Sequence, residues 1–173
     1  MTASDSEGGA AVSIRPATEA DQAEITRIVR SSNINPFSLH WPRFLVAEED
    51  GRIVGVGQVK RHGDGSRELA SIATIPEQRG KGVASAVVNA LLAREMGVLF
   101  LTCRTPMEPF YNRFGFVRVE RDEMTPYFRR IAWMTNPPRF LVRLFGFGEA
   151  GGLIMKRAAL DDSSATSPSP GAR

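Results

Sequence analysis

Pro76-Glu77-Gln78-Arg79-Gly80-Lys81-Gly82-Val83-Ala84-Ser85 is the stretch on which the reading of this chain turns. Ahead of it, Leu69-Ala70-Ser71-Ile72-Ala73-Thr74-Ile75 is apolar and β-branched, as a buried strand requires. Behind it, Val83, Ala84, Val87, Val88, Leu91 and Leu92 recur at helical spacing and give one helix an apolar face. The expectation over Ile72–Leu92 is strand, turn, helix. A turn that opens a helix leaves backbone N–H groups without intrahelical partners. Those groups and the positive end of the helix dipole attract an anion. Gly80 and Gly82 carry no side chain to keep a diphosphate off the backbone, and Arg79 and Lys81 add charge. The stretch reads as a pyrophosphate cradle.

Two common nucleotide motifs do not fit. No G-x-x-x-x-G-K-[S/T] pattern is present. Ser85 stands where a dinucleotide fingerprint needs its third glycine. The run Arg79-Gly80-Lys81-Gly82-Val83-Ala84 instead resembles motif A of the GNAT acyltransferases, R/Q-x-x-G-x-G/A. The resemblance implies that this loop binds the pyrophosphate of acetyl-CoA, with Arg79, Gly80, Lys81, Gly82, Val83 and Ala84 as its residues. It also implies that the pantetheine arm pairs with strand backbone around Ile72, Ala73 and Thr74.

The 173 residues suit one domain with a sizeable core, and 42% apolar and 24% charged content is ordinary for a globular protein. A net charge of +3 does not point to nucleic acid. One cysteine excludes an internal disulfide, and two histidines make no zinc-ligand cluster, so no metal is expected. The polar N-terminus shows no secretory signal, and no apolar run is long enough to span a membrane. The expectation is a cytoplasmic protein without stable membrane insertion.

Along the chain, residues 1–11 read as disordered and Val12–Arg15 as a first strand. Thr18 lies three residues before Asp21, a capping-box spacing, and opens a helix to about Arg30 that buries Ile25, Ile28 and Val29. Ser31–Pro42 is a loop with His40 and Trp41; the resemblance implies a wall of the acceptor site, and the other reading is a connector whose aromatics plug the core. Strands 2 (Phe44–Glu48), 3 (Ile53–Lys60) and 4 form an antiparallel meander, with Asp50-Gly51 as a hairpin turn. Gly55 and Gly57 mark weak packing or a close backbone approach. Gly97 is expected to close the helix that follows the cradle. Val98–Cys103 is strand 5, parallel to strand 4 through that helix. Cys103 has no clear His partner in the sequence and reads as a buried structural residue.

Pro106-Met107-Glu108-Pro109-Phe110-Tyr111-Asn112-Arg113-Phe114-Gly115-Phe116 carries the second family mark. Tyr111–Phe116 resembles the motif B signature Y-x-x-x-G-F. The resemblance implies that Tyr111 protonates the departing CoA thiolate, as a phenol can. It implies that Glu68, at the start of strand 4, is the general base that takes the acceptor's proton. The other reading of Glu68 is a strand-edge pair with Arg67 or Arg61. Arg104 stands where many members carry a CoA-contacting Asn, and Arg104, Phe110 and Phe114 complete the expected cofactor contacts.

Phe116–Val119 is strand 6 and Gly152–Arg157 strand 7. The segment between them, 121–147, has five arginines against Asp122 and Glu123. It reads as a helix over Thr125–Met134 and a second over Pro138–Leu144. A lid for an anionic acceptor, a homodimer contact, a membrane-surface element and a packed insertion with a solvated basic face are its four readings. Residues 159–173 read as a disordered tail. The whole, residues 12–158, resembles a GNAT domain. The resemblance implies an α+β fold, a mixed, mainly antiparallel six- to seven-stranded sheet flanked by helices, with a helical insertion between strands 6 and 7. It implies acetyl-CoA as co-substrate and direct acyl transfer to a small-molecule or peptide amine. The alternative is a non-catalytic acyl-CoA-binding module.

Overall fold

A computed structural model describes residues 12–135 and 152–159. The segments 1–11 and 160–173, and the expected helix Pro138–Leu144, lie outside the described residues. The chain divides into two compact units, one up to Arg94 and one from Glu95.

In the first unit, β1 (Ser13–Pro16), β2 (Phe44–Glu49), β3 (Arg52–Arg61) and β4 (Arg67–Thr74) follow one another as antiparallel neighbours. Asp50 and Gly51 both take positive φ, 49° and 73°, as a two-residue hairpin turn of this hand demands. α1 (Gln22–Ser31) is amphipathic and buries Ile25, Ile28 and Val29 completely, against Phe44, Val46, Val56 and Ala73. Trp41 packs half-buried on the same cluster.

The entrance to α1 is fixed by charge. Thr18 donates its backbone N–H and its hydroxyl to Asp21 Oδ2, at 2.7 and 2.9 Å. The Arg15 guanidinium donates to both Asp21 oxygens and to Glu48 Oε2. These donors hold the Asp21 carboxyl well below the usual carboxylate range, the Arg15 bond foremost. One buried carboxylate thereby ties β1 to the start of α1, and Arg15 carries the tie to β2.

α2 (Val83–Leu92) turns Val83, Val87, Val88, Leu91 and Leu92 inward. It ends earlier than the sequence suggests. The Ala93 and Arg94 N–H groups bond back to Asn89 and Leu91 carbonyls, which closes the last turn. Gly97 is not among the glycines with positive φ, so it does not cap the helix.

In the second unit, β7 (Gly152–Arg157) lies between β5 (Leu99–Arg104) and β6 (Val117–Arg118), antiparallel to both. β6 is shorter than expected. Phe116 and Val119, which flank it, are buried, and its own two residues are exposed. Between them in sequence come α3 (Glu108–Asn112) and, after β6, α4 (Pro126–Thr135). Phe128 of α4 stacks on Phe100 with ring centroids 4.7 Å apart and packs with Val119 and Ile154. Arg121, Arg129, Arg130 and Trp133 are exposed.

Candidate active site

The cradle lies in the first unit. Pro76–Gln78 forms a 3-10 turn, with Gln78 held by Glu49. Arg79 is extended, and Gly80 and Gly82 take φ of 79° and 86°. Those angles are open to glycine and costly to other residues, and they swing the chain into α2. Nothing lies within 4 Å of where either glycine would carry a Cβ. Arg79 through Gly82 are exposed, Val83 is buried and Ala84 half-buried. The N–H groups of Val83, Ala84 and Ser85 open the helix, where no intrahelical carbonyl can meet them. Neither Arg79 nor Lys81 makes an ion pair among the described residues. Donors, dipole and two uncommitted cations thus converge on an open loop, which suits a diphosphate.

β3 lets this helix come close. A Cβ on Gly55 would fall 2.6 Å from Val83 Cγ1, and one on Gly57 2.6 Å from Ile72 Cδ1. The close approach expected at these glycines is made by α2 and its neighbour on β4.

β4 is bulged. Its register with β3 shifts between Val56 and Gln58, and Ser71 has a φ of 56°. One β3 residue, Gly57, therefore stands against two on β4, Ser71 and Ile72. Such bulges re-aim backbone groups. Ala73 and Thr74 return to the ladder opposite Val56 and Gly55. Buried Gln58 donates to Ser71 Oγ at 3.0 Å, while its Oε1 and Thr74 Oγ1 are buried without a partner among the described residues.

Glu68 does not pair with Arg67 or Arg61 as the alternative reading had it. Its Oε2 lies 3.0 Å from His62 Nε2, and both side chains are nearly enclosed. Lys60 stands directly opposite Glu68 in the ladder. Its ammonium donates to the Phe37 carbonyl, and burial lowers its pKa. Gln58, Lys60 and His62 alternate along β3 and its end, a row not picked out from the sequence. The two-residue period of a strand was the signal that could have found it.

Motif B lies in the second unit. α3 presents Tyr111, and Gly115, at φ 79°, ends the turn so that buried Phe116 can follow. Tyr111 meets Phe110 and Phe116 edge to face, at 4.9 and 6.2 Å. Burial first, and Cys103 second, raise its phenol above the usual value, so it rests protonated. Cys103 is itself pushed up to about 11, by burial and then by Glu108, and its thiol donates to Met155 Sδ. Cys103 is half-buried, where a fully buried residue was expected. Phe110 and Phe114 lie 5.2 Å apart, edge to face, with the Arg113 guanidinium over both rings. Arg104, at the end of β5, is exposed.

Residues 40–118 match the Acetyltransferase (GNAT) domain family, a span that contains both motifs. The fold is similar to that of N-acetylglutamate synthase from Neisseria gonorrhoeae, solved with coenzyme A and N-acetyl-glutamate, at a TM-score of 0.68 and 19% identity. That match covers 87% of this chain and 36% of the Neisseria chain, so the protein spans about a third of that enzyme. A Mycobacterium tuberculosis protein solved with CoA matches at a TM-score of 0.63 and 21% identity, over 86% of this chain and 99% of its own. An Escherichia coli N-acetyltransferase named for an alanine of a ribosomal protein matches at 0.61 and 15%, over 91% and 99%. No curated protein matches the sequence. The protein has the GNAT fold, α+β with seven strands among the described residues, and its match to the GNAT acetyltransferase family runs over residues 40–118. No cluster of metal-ligating side chains, and no helix long and apolar enough to cross a membrane, occurs among the described residues.

Proposed function

We propose that the protein transfers an acetyl group from acetyl-CoA to an amine by direct attack of the amine on the thioester. The observation that carries this reading is the open, glycine-turned loop Arg79–Gly82 at the mouth of α2, inside the family-matched segment. The residues present fit the CoA diphosphate: amides without partners, two free cations, and no side chain at the two closest positions. An amine acceptor agrees with the names of two fold neighbours, an N-acetylglutamate synthase and an alanine N-acetyltransferase. Dependence on acetyl-CoA fits a cytoplasmic site of action.

In this reading the chain supplies position and two proton steps, and no covalent nucleophile. Arg79, Lys81 and the amides of Gly82–Ala84 hold the diphosphate. Ile72–Thr74 hold the pantetheine arm, and the bulge at Ser71 re-aims backbone N–H toward the developing oxyanion. Arg104, Phe110 and Phe114 complete the cofactor contacts. Glu68 takes one proton from the acceptor ammonium and passes it to solvent. As the N–C bond forms and the C–S bond breaks, Tyr111 gives its proton to sulfur. The amide nitrogen sheds its surplus proton to solvent, and Tyr111, having given its own to sulfur, is reloaded from solvent. A phenol kept protonated by burial is always ready for that donation.

Calorimetry with acetyl-CoA, followed by a screen of amine pools for thiol release, tests the reading. Binding followed by release with one amine class is the expected result. Binding with no turnover across amino acids, small amines and peptides would make the chain an acyl-CoA-binding module. No binding at all would remove the reading.

A further inference from the structure

We propose that His62 is a positioning residue for Glu68: it donates from Nε2 to Oε2 and holds the carboxylate with its second oxygen left to take the acceptor's proton. This rests on the reading of Glu68 as general base. The pair is 3.0 Å apart, with side chains 11% and 12% exposed. A carboxylate oxygen only accepts, so the imidazole is the donor. A free glutamate side chain has three rotatable bonds. Fixing it before substrate arrives removes an ordering cost from the reaction.

The hairpin does not need this pair in order to close. His62 N–H already donates to the Ser66 carbonyl at 2.9 Å, and Gly65 N–H to the His62 carbonyl at 3.0 Å. The Asp64 carboxylate accepts from both the Ser66 N–H and its hydroxyl. These bonds set the loop and deliver His62 to the face on which Gln58 and Lys60 lie. The register then brings Glu68 opposite Lys60 and beside the imidazole.

Two measurements test it. The chain has only two histidines, so a His40→Gln variant assigns both imidazoles in a nitrogen-correlated NMR spectrum. The expected spectrum has His62 protonated at Nε2, with slow exchange that is lost in Glu68→Ala. An unprotonated Nε2, or a spectrum indifferent to Glu68→Ala, overturns the proposal without any need for an acceptor. The second measurement is a double-mutant cycle in kcat, with acetyl-CoA and the amine that the pool screen selects. His62→Ala should lower kcat roughly tenfold at unchanged KM for acetyl-CoA, and His62→Gln should restore most of it. In the Glu68→Gln background His62→Ala should cost nothing further, because the two act as a unit. Additive losses sink the positioning role and leave Glu68 as base. Full turnover in Glu68→Gln sinks the base reading, and the positioning role with it.

Discussion

A Cβ on Gly57 would stand 2.7 Å from Val87 Cγ1, so α2 lies against β3 at a separation that only glycine allows. Gly55 stands in the same relation to Val83, the first residue of α2 and the last step out of the cradle. Filling either position forces the helix away, at about 1–3 kcal/mol. Gly57→Ala should lower the melting temperature and weaken acetyl-CoA binding less than Gly55→Ala does, because what it meets is the far end of the Ile72 side chain and Val87, one turn from the loop. Gly55→Ala should raise the Kd by roughly fivefold or more, about 1 kcal/mol, by displacing the amides themselves. Calorimetry on both variants checks this, and equal affinities would separate the cradle from the helix packing.

Arg79 and Lys81 are exposed and make no ion pair among the described residues, so their contribution to diphosphate binding should be real but screened. Replacing both with Ala should weaken acetyl-CoA binding about tenfold at low salt, and less as salt rises. Desulfo-CoA titrations across ionic strength measure both trends. A salt-independent loss would mean that the side chains support the loop and do not meet phosphate.

Tyr111→Phe keeps the edge-to-face packing with Phe110 and Phe116 and removes only the hydroxyl. The expected result is a kcat lower by about 100-fold, with acetyl-CoA Kd near that of the wild type. Stopped-flow detection of CoA thiol gives the rate. Unchanged turnover would remove Tyr111 from the mechanism.

The depressed carboxyl of Asp21 makes a statement about stability and pH. A group whose folded pKa is lowered contributes stability above its unfolded value and loses it as pH falls toward the folded one. The Asp21 contribution should therefore be complete above about pH 5 and shrink below about pH 4, the ordinary carboxylate range. Asp21→Asn removes the bidentate charge pair while Arg15 keeps Glu48, and should cost about 1–2 kcal/mol at neutral pH. Melting curves of both proteins from pH 2 to 8 should converge at the acid end. A gap constant over that range would rule out the linkage.

How much of this was legible beforehand follows from how local each feature is. The cradle, the Thr18–Asp21 spacing and the Tyr111–Phe116 turn are set by residues within a few positions of one another. Each forces its own backbone, and the glycine turn, the capping box and the turn at Gly115 are in the structure at those positions. The His62–Glu68 pair depends on register across a hairpin, and register follows from where the loop closes. Nothing in Ser71 itself announces a bulge, because the extra residue is defined by its partner strand. α2 ends before Gly97 because a tight last turn does the work that a left-handed glycine would do there. Gly55 and Gly57 leave weak packing and a close backbone approach both open in the sequence, and in the structure it is the Val83, Ile72 and Val87 side chains that come close.

The two tryptophans fall one to each compact unit. Trp41 is half-buried on the α1 cluster, and Trp133 is 55% exposed on α4. Each half of the molecule therefore carries its own fluorophore, and the two report different polarity. With Trp41→Phe or Trp133→Phe, emission in denaturant would follow one half at a time. Coincident midpoints would mean that the halves melt as a single cooperative body, and separate ones that each keeps its own account with water.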